Sequence, residues 1–141
     1  MGPFSIKKSM EILPENDQYC YCCGIKNERG LHLKFSYPQE GSSFTETVIP
    51  DYYTGWKNVV HGGYLAMVLD EAMAHACSSI GKSAFTAEIT VRYHQPAEVG
   101  ERIHVQAKID KLRSKIIDTS GKIYNSEDIL IAESKAKFMA P

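Results

Sequence analysis

The sequence has no apolar run long enough to cross a membrane; its longest candidate is cut by Asp70 and Glu71. It has no basic excess either. Lys and Arg number 16 against 17 Asp and Glu, the formal net charge is −1, and no stretch of Lys or Arg is longer than two. That balance argues against a nucleic-acid partner. Met1 to Met10 contain no signal-peptide core, so a cytoplasmic chain without membrane association is expected. No internal repeat and no break in composition marks a second domain. Metal ligands are also scarce. Cys20 and Cys23 have CxxC spacing and His32 is the nearest third candidate, but no fourth stands out. Reduced structural cysteines, with no metal and no cofactor, are therefore expected at Cys20, Cys22, Cys23 and Cys77.

What is present is the material of an ordinary globular core. Hydrophobic residues make up 43% of the 141 residues and charged residues 23%, enough for one domain without staples. Residues 1–18 read as an N-terminal segment in which Ser5 to Leu13 can form a short helix. Residues 19–141 read as a single domain. Its centre is Val60 to Gly81, rich in Ala, Leu and Met and free of Pro, which predicts a helix of about five turns. Leu65, Val68, Leu69, Ala72, Met73 and Ile80 go most of the way round it, so the helix should be wrapped by the rest of the chain.

Around it the pattern has period two. Leu31–Tyr37 and Ser43–Ile49 alternate and predict a hairpin. Ala87–Tyr93 and Ile103–Asp110 alternate after the helix. Lys115–Tyr124 is a weaker strand in which Gly121 suggests a bulge, and Ile129–Met139 is the last. Short connections between these later strands favour antiparallel pairing. The expected architecture is α+β, one antiparallel sheet around one long central helix. Tyr52, Tyr53 and Trp56, in the linker before the helix, read either as a covering loop or as packing over the helix end.

Two features of the helix exceed the needs of a core. Asp70 has Ala66, Met67, Met73 and Ala74 as helical neighbours, none able to pair with a carboxylate. An unpaired buried charge is costly, so Asp70 needs a reason. Glu71 already has one in His75, four residues on. The second feature is His61-Gly62-Gly63 at the helix start. There a ligand can approach the backbone closely, and the first N–H groups have no intrahelical partner. Such donors suit a carbonyl oxygen that becomes negative. The plain alternative is a tight turn and a satisfied core Asp.

The run Val60-His61-Gly62-Gly63, Leu69-Asp70 on the helix, Tyr93-His94-Gln95-Pro96-Ala97 and Gly100-Glu101 resembles the hotdog-fold acyl-CoA thioesterases of the PaaI-like (phenylacetate-type) family. Cys20-Tyr21-Cys22-Cys23-Gly24 with Gly30-Leu31 is similar to a subgroup that opens with a Cys/Gly segment. The resemblance implies a hotdog fold and hydrolysis of acyl-CoA to free acid and CoA, with CoA entering only as part of the substrate. By position it implies that the Gly62 N–H polarises the thioester carbonyl and Asp70 is nucleophile or general base. It implies that His61 shapes the oxyanion end and that Thr86 orients the water. Strict alternation, however, puts Thr86 on the face of Glu88 and Arg92, away from the apolar face. Gly63, Met67 and Met73 are the expected substrate contacts, the methionines being flexible enough for varied acyl groups. Gly62 and Asp70 lie roughly 12 Å apart along one helix, so an antiparallel second copy is expected to bring them together in a homodimer or a dimer of dimers. The competing readings are an enoyl-CoA hydratase or dehydratase using His61 as base, and a non-catalytic acyl-CoA sensor.

Overall fold

Ala, Leu and Met carry Gly62–Ser78 as a helix, α1, in the computed structural model, which describes residues 14–141. The expected helix at Ser5–Leu13 lies outside the described residues. His61 caps the start of α1, and Gly81 just beyond its end takes φ 77°, a left-handed backbone suited to glycine. The strands are β1 (Ser42–Val48), β2 (Phe85–Tyr93), β3 (Arg102–Arg113), β4 (Ile116–Asn125) and β5 (Leu130–Met139). They form one antiparallel sheet in the order β1-β3-β4-β5-β2. The helix lies across one face of it. No helix among the described residues is long and apolar enough to cross a membrane.

The alternation read from the sequence is what builds this face. Ile103, Val105 and Ala107 of β3, Ile117 and Ile123 of β4, and Ala132, Ala136 and Phe138 of β5 point inward and are buried. Against them α1 lays Leu65, Val68, Leu69, Ala72, Met73 and Ala76, all at most 2% exposed. The wrapping is not complete. Gly63 and Ser78 are exposed, and Met67, Asp70 and Ala74 between them are only half-buried. Their spacing places these five on one stripe of the helix.

Two sequence expectations are corrected. Leu31–Tyr37 is not a strand; its one ladder contact is a bridge from Ser36 to Phe44. His32 breaks the extended run with φ 52°. The backbone there bonds to the cysteine segment instead, Leu31 N–H to the Tyr21 carbonyl and Leu33 N–H to that of Cys22, each at 2.8 Å. Nor is Gly121 a bulge. It stays in register, opposite Ala107 on one side and Ser134 on the other. Its missing side chain makes room for the helix, since a Cβ there would stand 3.2 Å from Leu69 Cδ2.

Filling that space should therefore cost stability. Gly121→Val is expected to destabilise the fold by about 1–3 kcal/mol through overpacking, read as a lower midpoint in urea. An unchanged midpoint would mean that α1 does not sit tightly on β4.

Candidate active site

The helix start is held as a fixed backbone device. His61 Nδ1 accepts the Gly63 N–H at 2.8 Å. The Tyr93 hydroxyl, arriving from the end of β2, donates to the Gly62 carbonyl at 2.7 Å. The peptide between Gly62 and Gly63 is thus tied at both its N–H and its C=O. Tyr93 also closes over it, standing 3.3 Å from where a Gly62 Cβ would be. The Gly63 N–H is consequently not a free donor. The Gly62 N–H has no hydrogen-bond acceptor among the described residues and remains available. Because His61 accepts through Nδ1, its neutral ring carries the proton on Nε2 and offers a donor rather than a base.

Asp70 finds its partner across the sheet. Thr86 Oγ1 donates to Asp70 Oδ1 at 2.6 Å. Simple alternation would point Thr86 the other way, but the β2–β5 register slips between Thr86 and Glu88. The extra residue, Ala87, is a bulge, and a bulge re-aims the side chain beside it. Thr86 therefore pairs with buried Phe138, on the helix side, while Glu88 pairs with Lys137 on the other. Burial pushes the Asp70 carboxyl above its ordinary value. The Thr86 hydrogen bond pulls it back in part, and the negative charge of Glu71 adds to the rise.

Glu71 is the opposite case. Burial alone would raise it, but hydrogen bonds from His75 and Cys23, the His75 charge and a hydrogen bond from Cys20 hold it below the usual value. The His75 ring lies 3.3 Å from Glu71 Oε2 and is stacked on Phe35 with centroids 4.0 Å apart. Adjacent carboxylates thus have different surroundings, one a single hydroxyl and the other a set of structural donors.

The remaining expected residues are spread out. Met73 is fully buried against the sheet, where Ser134 Oγ donates to its sulfur at 3.4 Å. Met67 stands on the half-covered stripe beside Asp70. Of the linker aromatics, Tyr53 packs on Tyr64 near the helix start, with centroids 4.7 Å apart. Tyr52 and Trp56 project outward, 72% and 85% exposed. His32 does not join the cysteines; its Nε2 bonds with the Asn27 carbonyl at 2.6 Å. The part played by Tyr93 was not read from the sequence, although the residue stood in the quoted motif. Its signal would have been a hydroxyl at the end of a strand leading back to the helix start.

With this geometry in place, comparison with known proteins gives a consistent result. The Thioesterase superfamily profile matches residues 57–132. A protein of Archaeoglobus fulgidus named "Putative esterase" is 33% identical over 134 residues, 93% of this chain and 84% of its own length. Three solved structures share the fold. A thioesterase superfamily protein superposes with TM-score 0.80 at 24% identity, over 86% of this chain but 60% of its own. The PaaI protein of Escherichia coli gives TM-score 0.74 at 21% identity, over 79% of this chain and 80% of its own. A Streptococcus mutans protein bound to acetyl CoA gives 0.73 at 15%, over 77% and 88%. The family match covers more than half of the residues, and the chain belongs to the thioesterase superfamily, with the hotdog fold.

Proposed function

We propose that this chain hydrolyses acyl-CoA thioesters to the free acid and CoA. Family membership supports thioester hydrolysis in general. The observation that carries the finer reading is the Asp70 carboxylate, which among the described residues has no cation beside it and a hydroxyl donor at 2.6 Å on one oxygen only. Thr86 occupies Oδ1 and leaves Oδ2 to accept a proton. The Gly62 N–H binds the carbonyl oxygen and strengthens its hold as that oxygen gains negative charge. Asp70 takes a proton from water as the water attacks the acyl carbon. The tetrahedral intermediate collapses, the C–S bond breaks, and CoA thiolate leaves to be protonated. Direct attack by Asp70 would pass through a mixed anhydride; where water then attacks the Asp70 carbonyl, a single turnover in ¹⁸O-water leaves label in Asp70. The bound acetyl CoA of the Streptococcus mutans protein supports the choice of substrate class. An enoyl-CoA hydratase using His61 as base fits less well, because His61 Nδ1 is occupied.

The site is proposed to be completed by a second copy. Gly62 and Asp70 are separated by roughly 12 Å along one helix, so one carbonyl carbon cannot meet both. The half-covered stripe of Gly63, Met67, Asp70, Ala74 and Ser78 has small or flexible side chains on which an antiparallel α1 can lie. Strand β2 pairs only with β5 among the described strands and leaves its other edge for the same partner. A two-fold axis then places Gly62 of each subunit near Asp70 of the other.

Four outcomes are expected. Asp70→Asn should lower kcat by about 10²-fold or more while the fold persists. Glu71→Gln should keep the greater part of its turnover per folded molecule. Thiol-release assays on both variants decide, and a dead Glu71→Gln beside an active Asp70→Asn would reassign the base. Thr86→Ala should cost about tenfold in kcat, the worth of roughly one hydrogen bond, and leave KM nearly unchanged. Light scattering at assay concentration should find a dimer or larger; a fully active monomer would refute the shared site.

A further inference from the structure

Cys20 and Cys23 meet Glu71 at the side of α1. Their Sγ atoms and a Glu71 carboxylate oxygen all lie within 4.8 Å of one another, and Cys20 Sγ is 3.4 Å from Oε2. The two sulfurs come from one loop and the oxygen from a helix 51 residues away in sequence from Cys20. The loop is built to hold them there. Gly24 N–H closes back on the Cys20 carbonyl at 2.8 Å, and Lys26 N–H bonds to the Gln18 carbonyl at 2.9 Å. A Cβ on Gly24 would stand 2.4 Å from Cys20 N, so only glycine permits this closure. Leu31 and Leu33 then pin the same loop from the other side.

The surroundings of Glu71 are unusual for a purely structural carboxylate. Its side chain is 14% exposed. A carboxylate so covered needs strong donors or a cation. Two of its neighbours are thiols, which are weak donors. The His75 ring is the one strong neighbour among the described residues, and it is fixed in place by the Phe35 stack and by Tyr37, whose hydroxyl lies 2.8 Å from Nδ1. Two sulfurs and one carboxylate oxygen form a ligand set suited to zinc. Around a tetrahedral zinc, with bonds of about 2.3 Å to sulfur and about 2.0–2.2 Å to oxygen, such atoms stand roughly 3.5–3.8 Å apart. The observed spacing reaches that with a small contraction of the loop.

We propose that Cys20, Cys23 and Glu71 bind a zinc-class divalent cation, with water in the fourth position. His75 is not a ligand in this site; it orients the Glu71 carboxylate. Binding replaces the two thiol protons with the metal and releases them to solvent, so uptake weakens as pH falls. Exposed Cys20 gives the ion its way in. The bound ion ties the cysteine loop to α1 at the residue next to Asp70. A Cys20–Cys23 disulfide would use the same spacing, but it would leave Glu71 with His75 as its one strong partner among the described residues.

The test does not depend on turnover and so stands apart from the hydrolase reading. The full chain, purified under reducing conditions without chelator, is loaded with Zn²⁺ or Co²⁺ and analysed by elemental mass spectrometry and absorbance. The expected result is one zinc per chain, and with Co²⁺ a thiolate-to-cobalt charge-transfer band with the strong visible bands of a tetrahedral ion. Cys20→Ser and Cys23→Ser should abolish the band. Glu71→Gln should weaken zinc binding by at least about tenfold, and His32→Gln should not alter it. Stripping the zinc should lower the Tm, and adding zinc back should restore it. The proposal is overturned if the folded, reduced wild-type chain takes up neither metal, or if the cobalt band survives both cysteine replacements. It is also overturned if the chain isolated without reductant carries a Cys20–Cys23 disulfide and the reduced form still binds no metal.

Discussion

Packing α1 onto the sheet is the constraint from which the other features follow. A helix buried along most of its circumference must find a use for each polar group it carries, because water is not there to serve them. Asp70 and Glu71 are adjacent, so they leave the helix axis about 100° apart. One reaches β2 and the other reaches the cysteine loop. Each meets a segment that departs from regular structure to receive it. Strand β2 slips its register at Ala87, and the loop folds tightly at Gly24. Both departures cost local regularity and serve one side chain of α1.

The same division governs the electrostatics. Asp70 is held by one hydroxyl and is pushed toward the neutral form by burial, so its proton affinity is higher than that of a surface carboxylate. Glu71 has several donors and remains ionised more readily. A carboxylate engaged by several neighbours has little left to offer a substrate. A carboxylate with one oxygen unclaimed does. The two residues differ by one methylene, and their surroundings separate their proton affinities.

Much of this was legible in the sequence, for reasons that particular residues make plain. The helix was visible because Ala, Leu and Met without Pro leave little else for Gly62–Ser78 to do. Alternation exposed β1, β2 and β3, since each buries one face. Asp70 was conspicuous by the absence of a helical partner. What alternation could not reveal was its own interruption. Thr86 stands one residue before a bulge that only pairing with β5 discloses. Leu31–Tyr37 had the right period but is bent at His32 and bonded to the cysteine loop, with a single bridge, Ser36 to Phe44, to β1. Gly121 was read as a flaw in a strand, whereas the reason for it is a leucine on the helix above. In each case the deciding contact is distant in sequence.

The bulge at Ala87 has an effect beyond aiming Thr86. A long, flat, unpaired strand edge invites indiscriminate addition of foreign strands, the first step toward aggregates. At the far edge, β1 is partly shielded by the Ser36 bridge. At the near edge, the interrupted ladder divides β2, leaving Glu88–Tyr93 as its regular stretch, with charged Glu88 and Arg92 along it. A stray strand meets a short, twisted and charged template, whereas an identical strand running antiparallel can set Glu88 of one copy toward Arg92 of the other. The irregularity that aims Thr86 at Asp70 therefore also makes the edge a poor template for foreign strands.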